Sequence, residues 1–161
     1  MSLVTAFFLL IVPLAASVPE VVATDAPTVY QILQSYSFPV GLLPQGVTSY
    51  QLDADTGKFV VNLNGTCSFS VAGYDLKYKT KITGTISSGK IRNLTGIQVK
   101  VLFFWVNIIE VTSDGNNLEL SVGIASAEFA VDNFNESPQC GCGFDCVSAT
   151  PVTVSGGAFS F

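Results

Sequence analysis

Histidine is absent from this chain of 161 residues. Catalysis by Ser-His-Asp or Cys-His groups depends on an imidazole that titrates near neutral pH. The Gly-x-Ser-x-Gly motif of a nucleophile elbow is absent as well, and so is a glycine-rich phosphate loop. A conventional esterase or protease is therefore not expected, and neither a cofactor nor a catalytic residue is predicted.

Charged residues are scarce, and positive ones are the scarcer kind. Seven Lys and Arg stand against twelve Asp and Glu, which gives a net charge of −5. A basic groove for nucleic acid is not expected from this balance. The nearest carboxylate pair, Asp53 and Asp55, has the residue type that a glycosidase needs, but Leu-Asp-Ala-Asp-Thr-Gly is more typical of a solvated turn between strands.

Long apolar runs occur only at the N terminus, where Leu3–Ala16 carries no charge and small residues follow. This pattern predicts a secretory signal peptide over residues 1–17, although no Lys or Arg precedes the run. The alternative is an N-terminal membrane anchor, for which the run is short and contains Pro13. Residues 18–26 form a polar leader, and the tail at residues 147–161 is expected to be disordered.

Other features fit entry into the secretory pathway, with an extracellular or cell-wall location and no membrane span after signal cleavage. Sequons for N-glycosylation occur at Asn64 and Asn93. A third sequon at Asn135 is followed by Pro138, which disfavours its use.

The cysteines are four in number, and an even count in an exported chain predicts disulfides. Three pairings can be drawn. Proximity in the chain favours Cys142 with Cys146, which leaves Cys67 with Cys140. The alternative is a metal site, but histidine is lacking and the spacing matches no common zinc pattern. No metal is predicted.

One short helix is predicted at the start of the domain. Pro27 suits a first helical turn, and the pattern from Val29 to Tyr36 repeats at helical spacing. Phe38-Pro39 then ends the helix, because a residue before proline resists the α conformation.

The chain after Tyr50 alternates with period two and predicts about eight short strands. Asn64-Gly65 predicts a type I′ hairpin turn that joins Lys58–Leu63 to Thr66–Val71. Residues Ile97–Val106 are apolar on both faces and predict one long strand buried on both sides. The expected fold is a single mainly-β domain over residues 27–146, a roll or barrel-like structure with one short N-terminal helix.

Two groups of side chains are candidates for binding. Lys77, Lys79 and Lys81 share one face of a strand, where they could hold an anionic head group or an anionic polysaccharide. The alternative is a solvent-facing edge whose lysines oppose aggregation. Seven aromatic side chains are candidates for lining an apolar cavity, although aromatic residues at strand spacing more often fill a core. They are Phe69, Tyr74, Tyr78, Phe103, Phe104, Trp105 and Phe129.

Several segments together resemble a plant family catalogued as Domain of Unknown Function 538. They are FPVGLLPQGVTSYQLD, ITGTISSGKIRNLTGI and VLFFWVNIIEV, and the resemblance covers roughly residues 27–140. It implies a plant source and a mainly-β roll that has been likened to the lipid-binding domains of bactericidal permeability-increasing proteins. It also supports pairing Cys67 with Cys140, where many relatives carry cysteine. It implies no activity and no catalytic residues.

Three functions follow as hypotheses. The first is a secreted, non-enzymatic protein that binds a small amphiphile or lipid, with Tyr78, Phe103 and Trp105 near its apolar end and the three lysines near its polar end. The second is a wall-associated or protein-interaction module without a small ligand, which predicts a solid core and a surface patch. The third is a hydrolase that uses carboxylates alone.

Overall fold

The computed structural model describes residues 26–144. The predicted signal peptide at 1–17, nearly all of the leader at 18–26, Cys146 and the tail at 147–161 lie outside the described residues. Within the described part, the predicted β domain is built on one antiparallel sheet with a short helix at its start. The mainly-β fold class is therefore confirmed.

The helix, α1, spans Val29–Ser35 and is fixed at its start by a capping box. The Thr28 hydroxyl accepts a hydrogen bond from the Gln31 N–H at 3.2 Å, and the Gln31 side chain accepts one from the Thr28 N–H at 2.8 Å. These bonds satisfy backbone groups that have no partner inside the helix. Among residues 26–144, no helix has the length and apolar character that crossing a bilayer requires.

The sheet of the described region has nine strands, and its path runs β1-β2-β4-β5-β7-β8-β9 without closing into a barrel. Two short strands lie beside this path, β3 against β4 and β6 against β5. The strands are β1 Val47–Leu52, β2 Lys58–Leu63, β3 Cys67–Val71, β4 Tyr74–Ser87, β5 Lys90–Val101, β6 Phe104–Asn107, β7 Glu110–Ser113, β8 Asn117–Ser121 and β9 Ser126–Ala130.

The prediction of a hairpin turn at Asn64-Gly65 is wrong. Strands β2 and β3 do not pair with each other there; both pair with β4, at Lys81–Thr85 and Tyr74–Tyr78 respectively. The 14-residue β4 is long enough to accept both strands end to end along one edge. Strand β3 instead turns back at Ala72-Gly73, a two-residue hairpin turn whose φ angles of 47° and 84° suit type I′.

The prediction of one long strand over Ile97–Val106 is also wrong. The chain reverses at Leu102-Phe103, and Val101 pairs with Phe104 across the turn between β5 and β6. Leu102 takes the left-handed conformation, with φ at 56°, that turns otherwise obtain from glycine or asparagine. The apolar residues of this segment therefore form a hairpin rather than one strand through the core.

The core lies between α1 and the inner face of the sheet. Buried apolar side chains from the helix, such as Leu33, join those of β4 and β5, such as Ile82 and Ile97. The described residues contain no buried polar or charged side chain outside this apolar set. Burial of apolar surface thus holds the helix against the sheet.

A disulfide joins Cys67 at the start of β3 to Cys140, as predicted. It connects residues 73 positions apart, with a Cα–Cα distance of 4.9 Å. Cys142 is not a free thiol, but its predicted partner Cys146 lies outside the described residues. The second predicted bridge stays a prediction.

Candidate functional site

The lysines of β4 project from the outer face of the sheet. Lys79 and Lys81 are exposed and Lys77 is half-buried, whereas Leu76, Tyr78 and Ile82 are buried. This alternation follows from the period of two in a strand. This burial pattern agrees with the orientation predicted from the sequence, and the pairing with β5 shifts register between Tyr78 and Thr83.

The hairpin between β5 and β6 carries the most prominent exposed apolar surface of the described chain. We call residues Val101–Trp105 the aromatic hairpin. Their exposed fractions are 42% for Val101, 62% for Leu102, 87% for Phe103, 72% for Phe104 and 38% for Trp105. Contiguous exposed apolar side chains of this kind mark interaction sites more often than single ones do.

The aromatic hairpin extends past the edge of the core. Along the inner face of β5, Ile97 and Val99 are buried but Val101 is exposed. Phe104, which pairs with Val101, is more exposed still. Other parts of the protein therefore no longer cover the inner face of the hairpin near the turn. As a result, the hairpin exposes apolar side chains on both of its faces.

Positive charge lies directly behind this turn. The Lys77 ammonium sits over the Trp105 ring, 5.1 Å from the ring centroid, in a cation–π contact. Lys100 is the cross-strand partner of Trp105 and is exposed. The structure thus brings Trp105 and Lys77 together on the outside of the protein, on the hairpin that also exposes Phe103.

Tyr78 does not belong to that surface, so the structure separates it from the other predicted binding residues. It is 1% exposed, and its hydroxyl donates a hydrogen bond to the Leu42 carbonyl at 2.8 Å. Burial raises the pKa of Tyr78 above its ordinary value. Tyr78 thereby ties the Gly-Leu-Leu-Pro loop to the sheet, and Tyr30 of α1, whose hydroxyl donates to the Pro44 carbonyl at 2.7 Å, ties the same loop to the helix.

The interior offers little room for a ligand. An apolar cavity of about 50 Å³ lies between α1 and the sheet, lined among others by Leu33, Phe59 and Ile82. Small-molecule pockets typically enclose roughly 300–1,000 Å³, so this cavity is too small for an amphiphile. The prediction that Phe103 and Trp105 line an internal cavity is wrong, because the hairpin carries both side chains outward.

A larger, open groove of about 450 Å³ runs beside the turn between β3 and β4. Asp132 and Glu136 lie along it, with Ala72 and Phe144 among the other lining residues. Its carboxylates would repel an anionic ligand. The lysine side of the sheet is therefore the better place for such a ligand.

The candidate carboxylate pair forms a turn, as the preferred interpretation of Leu-Asp-Ala-Asp-Thr-Gly predicted. Asp53 accepts hydrogen bonds from the backbone N–H groups of Asp55 at 2.9 Å and Thr56 at 3.3 Å. These bonds, that from Asp55 first, lower the pKa of Asp53. A general acid needs the opposite shift, so the geometry gives Asp53 no acid role.

The remaining candidate positions lie on the surface. Asn64 and Asn93 are exposed, so their glycosylation is sterically open and stays a prediction. No group of three or more His, Cys, Asp or Glu side chains within residues 26–144 is arranged to hold a metal ion.

Lys100 and Leu102 belong to the exposed surface but were not among the predicted residues, and Phe104 was predicted only as a candidate for lining an apolar cavity. The turn at Leu102-Phe103 contains no Gly, Asn, Asp or Pro, which are the usual signals of a hairpin. The one available signal was the length of the apolar segment: β5 and its continuation through β6 together exceed a typical strand of five or six residues.

Comparisons with known proteins place the chain among proteins without an assigned activity. A family model described as "Protein of unknown function, DUF538" matches residues 29–135. An uncharacterized protein of Arabidopsis thaliana is 30% identical over 98 residues, which cover 58% of this chain and 55% of the relative. The chain therefore spans about half the length of the curated relative that it matches.

Proposed function

Because the chain belongs to the DUF538 family, for which no activity is described, we propose a function from its surface: it is a secreted, non-enzymatic protein that binds a small amphiphile or lipid. The apolar part of the ligand contacts the aromatic hairpin. Its polar, anionic part contacts the lysines on the outer face of β4. The ligand is held at the surface, not inside the core.

One observation carries this proposal: the contact between Lys77 and Trp105 beside the exposed Phe103. Phe103 gives the apolar chain a surface that water would otherwise cover, and burying such a ring is favourable by roughly 1.5–3 kcal/mol. Lys77 and its neighbours provide positive charge within reach of the same ligand. An amphiphile with an anionic head group matches both the apolar surface of Phe103 and the positive charge of the lysines.

The proposal is tested by calorimetric titration with a short-chain phosphatidic acid below its micelle concentration. We expect saturable binding by the unaltered protein, and Phe103→Ser should weaken it about tenfold because one ring contact is lost. Ile124→Ser is the matched control, since Ile124 is 100% exposed in another turn. Native mass spectrometry of protein purified from plant tissue should also show a co-purifying lipid. Absence of both binding and lipid would refute the proposal.

A second candidate is the wall-associated or protein-interaction module without a small ligand. The well-filled core and the exposed hairpin favour it, since this hypothesis predicts a solid interior and a surface patch. Two results would favour this candidate over lipid binding. The protein would bind a defined protein or pectin, and this binding would be lost in Phe103→Ser and retained in Ile124→Ser. The phosphatidic acid titration would show no heat of binding.

A further inference from the structure

We propose that the aromatic hairpin is a membrane-docking element that inserts its turn into the surface of a bilayer containing anionic lipids. This inference rests on the proposed function. It specifies that the protein binds lipid as part of an assembled bilayer surface rather than as single molecules. The argument depends on the order of side chains along the hairpin, on its exposed faces and on the distribution of positive charge.

The side chains of the hairpin are ordered by depth. Leu102 and Phe103 form the turn, Val101 and Phe104 follow, and Trp105 lies one residue further back, opposite Lys100. This is the order in which a bilayer presents hydrocarbon, then the interfacial zone favoured by tryptophan, then the charged head groups. The aliphatic stem of Lys100 can lie along the apolar layer while its ammonium reaches the head groups.

The next row on the same face of the sheet continues the order. Lys77 pairs with Gln98 of β5, which in turn pairs with Asn107 of β6. This polar row lies three residues behind Val101, or about 10 Å along the strand. An interfacial element buries its apolar face about 5–10 Å deep, so the row would sit at the level of the head groups.

The exposed faces favour a lipid surface over a protein. Phe104 and Val101 are exposed on the inner face, and Trp105 is exposed on the outer face. A partner with a flat surface would cover one face of the hairpin and leave the other in water. Lipid chains can surround both faces, which removes all of the exposed apolar side chains from water.

The charge distribution selects anionic lipids. Six of the seven Lys and Arg residues of a chain with net charge −5 lie on β4 and β5. Lys100 and Lys77 lie in the rows nearest the hairpin, and Lys79 and Lys81 lie further along β4. Asp75 is the acidic residue on this part of β4, and its carboxylate accepts a hydrogen bond from the Ser70 hydroxyl. The net charge of the protein is negative, whereas the charge on this part of the sheet is positive. A negative membrane surface therefore attracts this part and orients the hairpin toward the lipid.

The test uses Trp105, which is the single tryptophan of the chain and therefore reports on the hairpin alone. The full-length protein is mixed with vesicles of phosphatidylcholine, or of phosphatidylcholine and phosphatidylserine in equal amounts. We expect a blue shift of the emission with the anionic vesicles only, weakened by added salt. Replacing Phe103 and Phe104 together by Asp should lower vesicle binding at least about tenfold, whereas Ile124→Asp should not.

Charge is tested by a matched pair of double variants. Lys79→Glu with Lys100→Glu changes the net charge by the same amount as Lys58→Glu with Arg92→Glu, but Lys58 and Arg92 lie near the far end of β4 from the hairpin, beside Thr85. Only the first pair should abolish binding to the anionic vesicles. Equal losses in the two pairs would overturn the inference, because net charge rather than the hairpin would then control binding.

Three further outcomes would also overturn it: vesicle sedimentation without a shift in Trp105 emission, a shift that appears on concentrating the protein without vesicles, and no binding at all. The first would indicate another attachment site and the second self-association through the hairpin. Binding of short-chain phosphatidic acid without vesicle binding would refute this inference and leave the proposed function standing. Vesicle binding without binding of the monomeric lipid would support this inference, and it would refute the binding of single lipid molecules only if no lipid co-purifies with the protein.

Discussion

Replacement of Tyr78 by Phe removes one buried hydroxyl and tests the role that the structure gives this side chain. The hydroxyl donates to the Leu42 carbonyl at 2.8 Å in a position that is 1% exposed. Losing this bond and leaving the carbonyl without its donor should cost about 1–3 kcal/mol at neutral pH. Tyr74→Phe removes the same group from a tyrosine that is 40% exposed and should change the free energy of unfolding by less than about 0.5 kcal/mol.

The same residue makes a prediction about alkaline pH. Burial raises the pKa of Tyr78 in the folded protein, whereas the unfolded side chain ionises near pH 10. Its stabilising contribution is therefore fully present below about pH 10 and is lost as the pH rises, because the unfolded state releases a proton that the folded state retains. The phenylalanine variant has no such group, so its stability deficit should shrink by about 1 kcal/mol at pH 11.

Urea unfolding of the unaltered protein and both variants, at neutral pH and at high pH, measures these differences. Tyr30, whose pKa is also raised by burial, is present in all three proteins and cancels in the comparison. If Tyr78→Phe costs no more than Tyr74→Phe, or if the deficit is the same at both pH values, Tyr78 does not anchor the Gly-Leu-Leu-Pro loop as described.

Three other predictions concern stability. Replacing Cys67 and Cys140 by Ala removes a disulfide between residues 73 positions apart, which restricts the unfolded chain. The free energy of unfolding in urea should fall by about 4 kcal/mol. A loss below about 1 kcal/mol would show that this restriction of the unfolded chain does not stabilise the protein. Gly96→Ala forces a Cβ to within 2.3 Å of a β4 backbone oxygen at φ +92° and should lower the melting temperature more than Gly115→Ala, where φ is +94° but the space is open. Asp53 has a lowered pKa, so its contribution is present above about pH 4 and lost on acidification; Asp53→Asn should make acid unfolding less steep, and an unchanged profile would contradict the turn's role.

Local signals predicted the helix and the outward row of lysines because nothing else competed for them. The helical spacing predicted from Val29 matches α1, which ends at Ser35, ahead of Phe38-Pro39, and β4 has one buried face. In such places the residue pattern and the tertiary structure agree, so the sequence suffices. Pro27 was predicted in the first turn but precedes the N-cap Thr28.

Local signals failed where strand pairing decided the outcome. Asn64-Gly65 is a strong hairpin sequence, but the length of β4 lets β2 and β3 continue along one edge, so the turn is not used. Leu102-Phe103 carries no turn signal, yet the chain reverses there because β6 pairs with β5. The candidate site depended on this second turn, which is why the exposure of Phe103 and Trp105 could not be predicted.

The most direct test of the whole account is quenching of Trp105 fluorescence by a short-chain anionic lipid that carries bromine on its acyl chain. The account predicts saturable quenching, reduced by Phe103→Ser but not by Ile124→Ser, with the lipid recovered chemically unchanged. Binding without quenching would place the lipid away from the aromatic hairpin, and recovery of a cleaved lipid would show that the protein is an enzyme; either result would contradict the account.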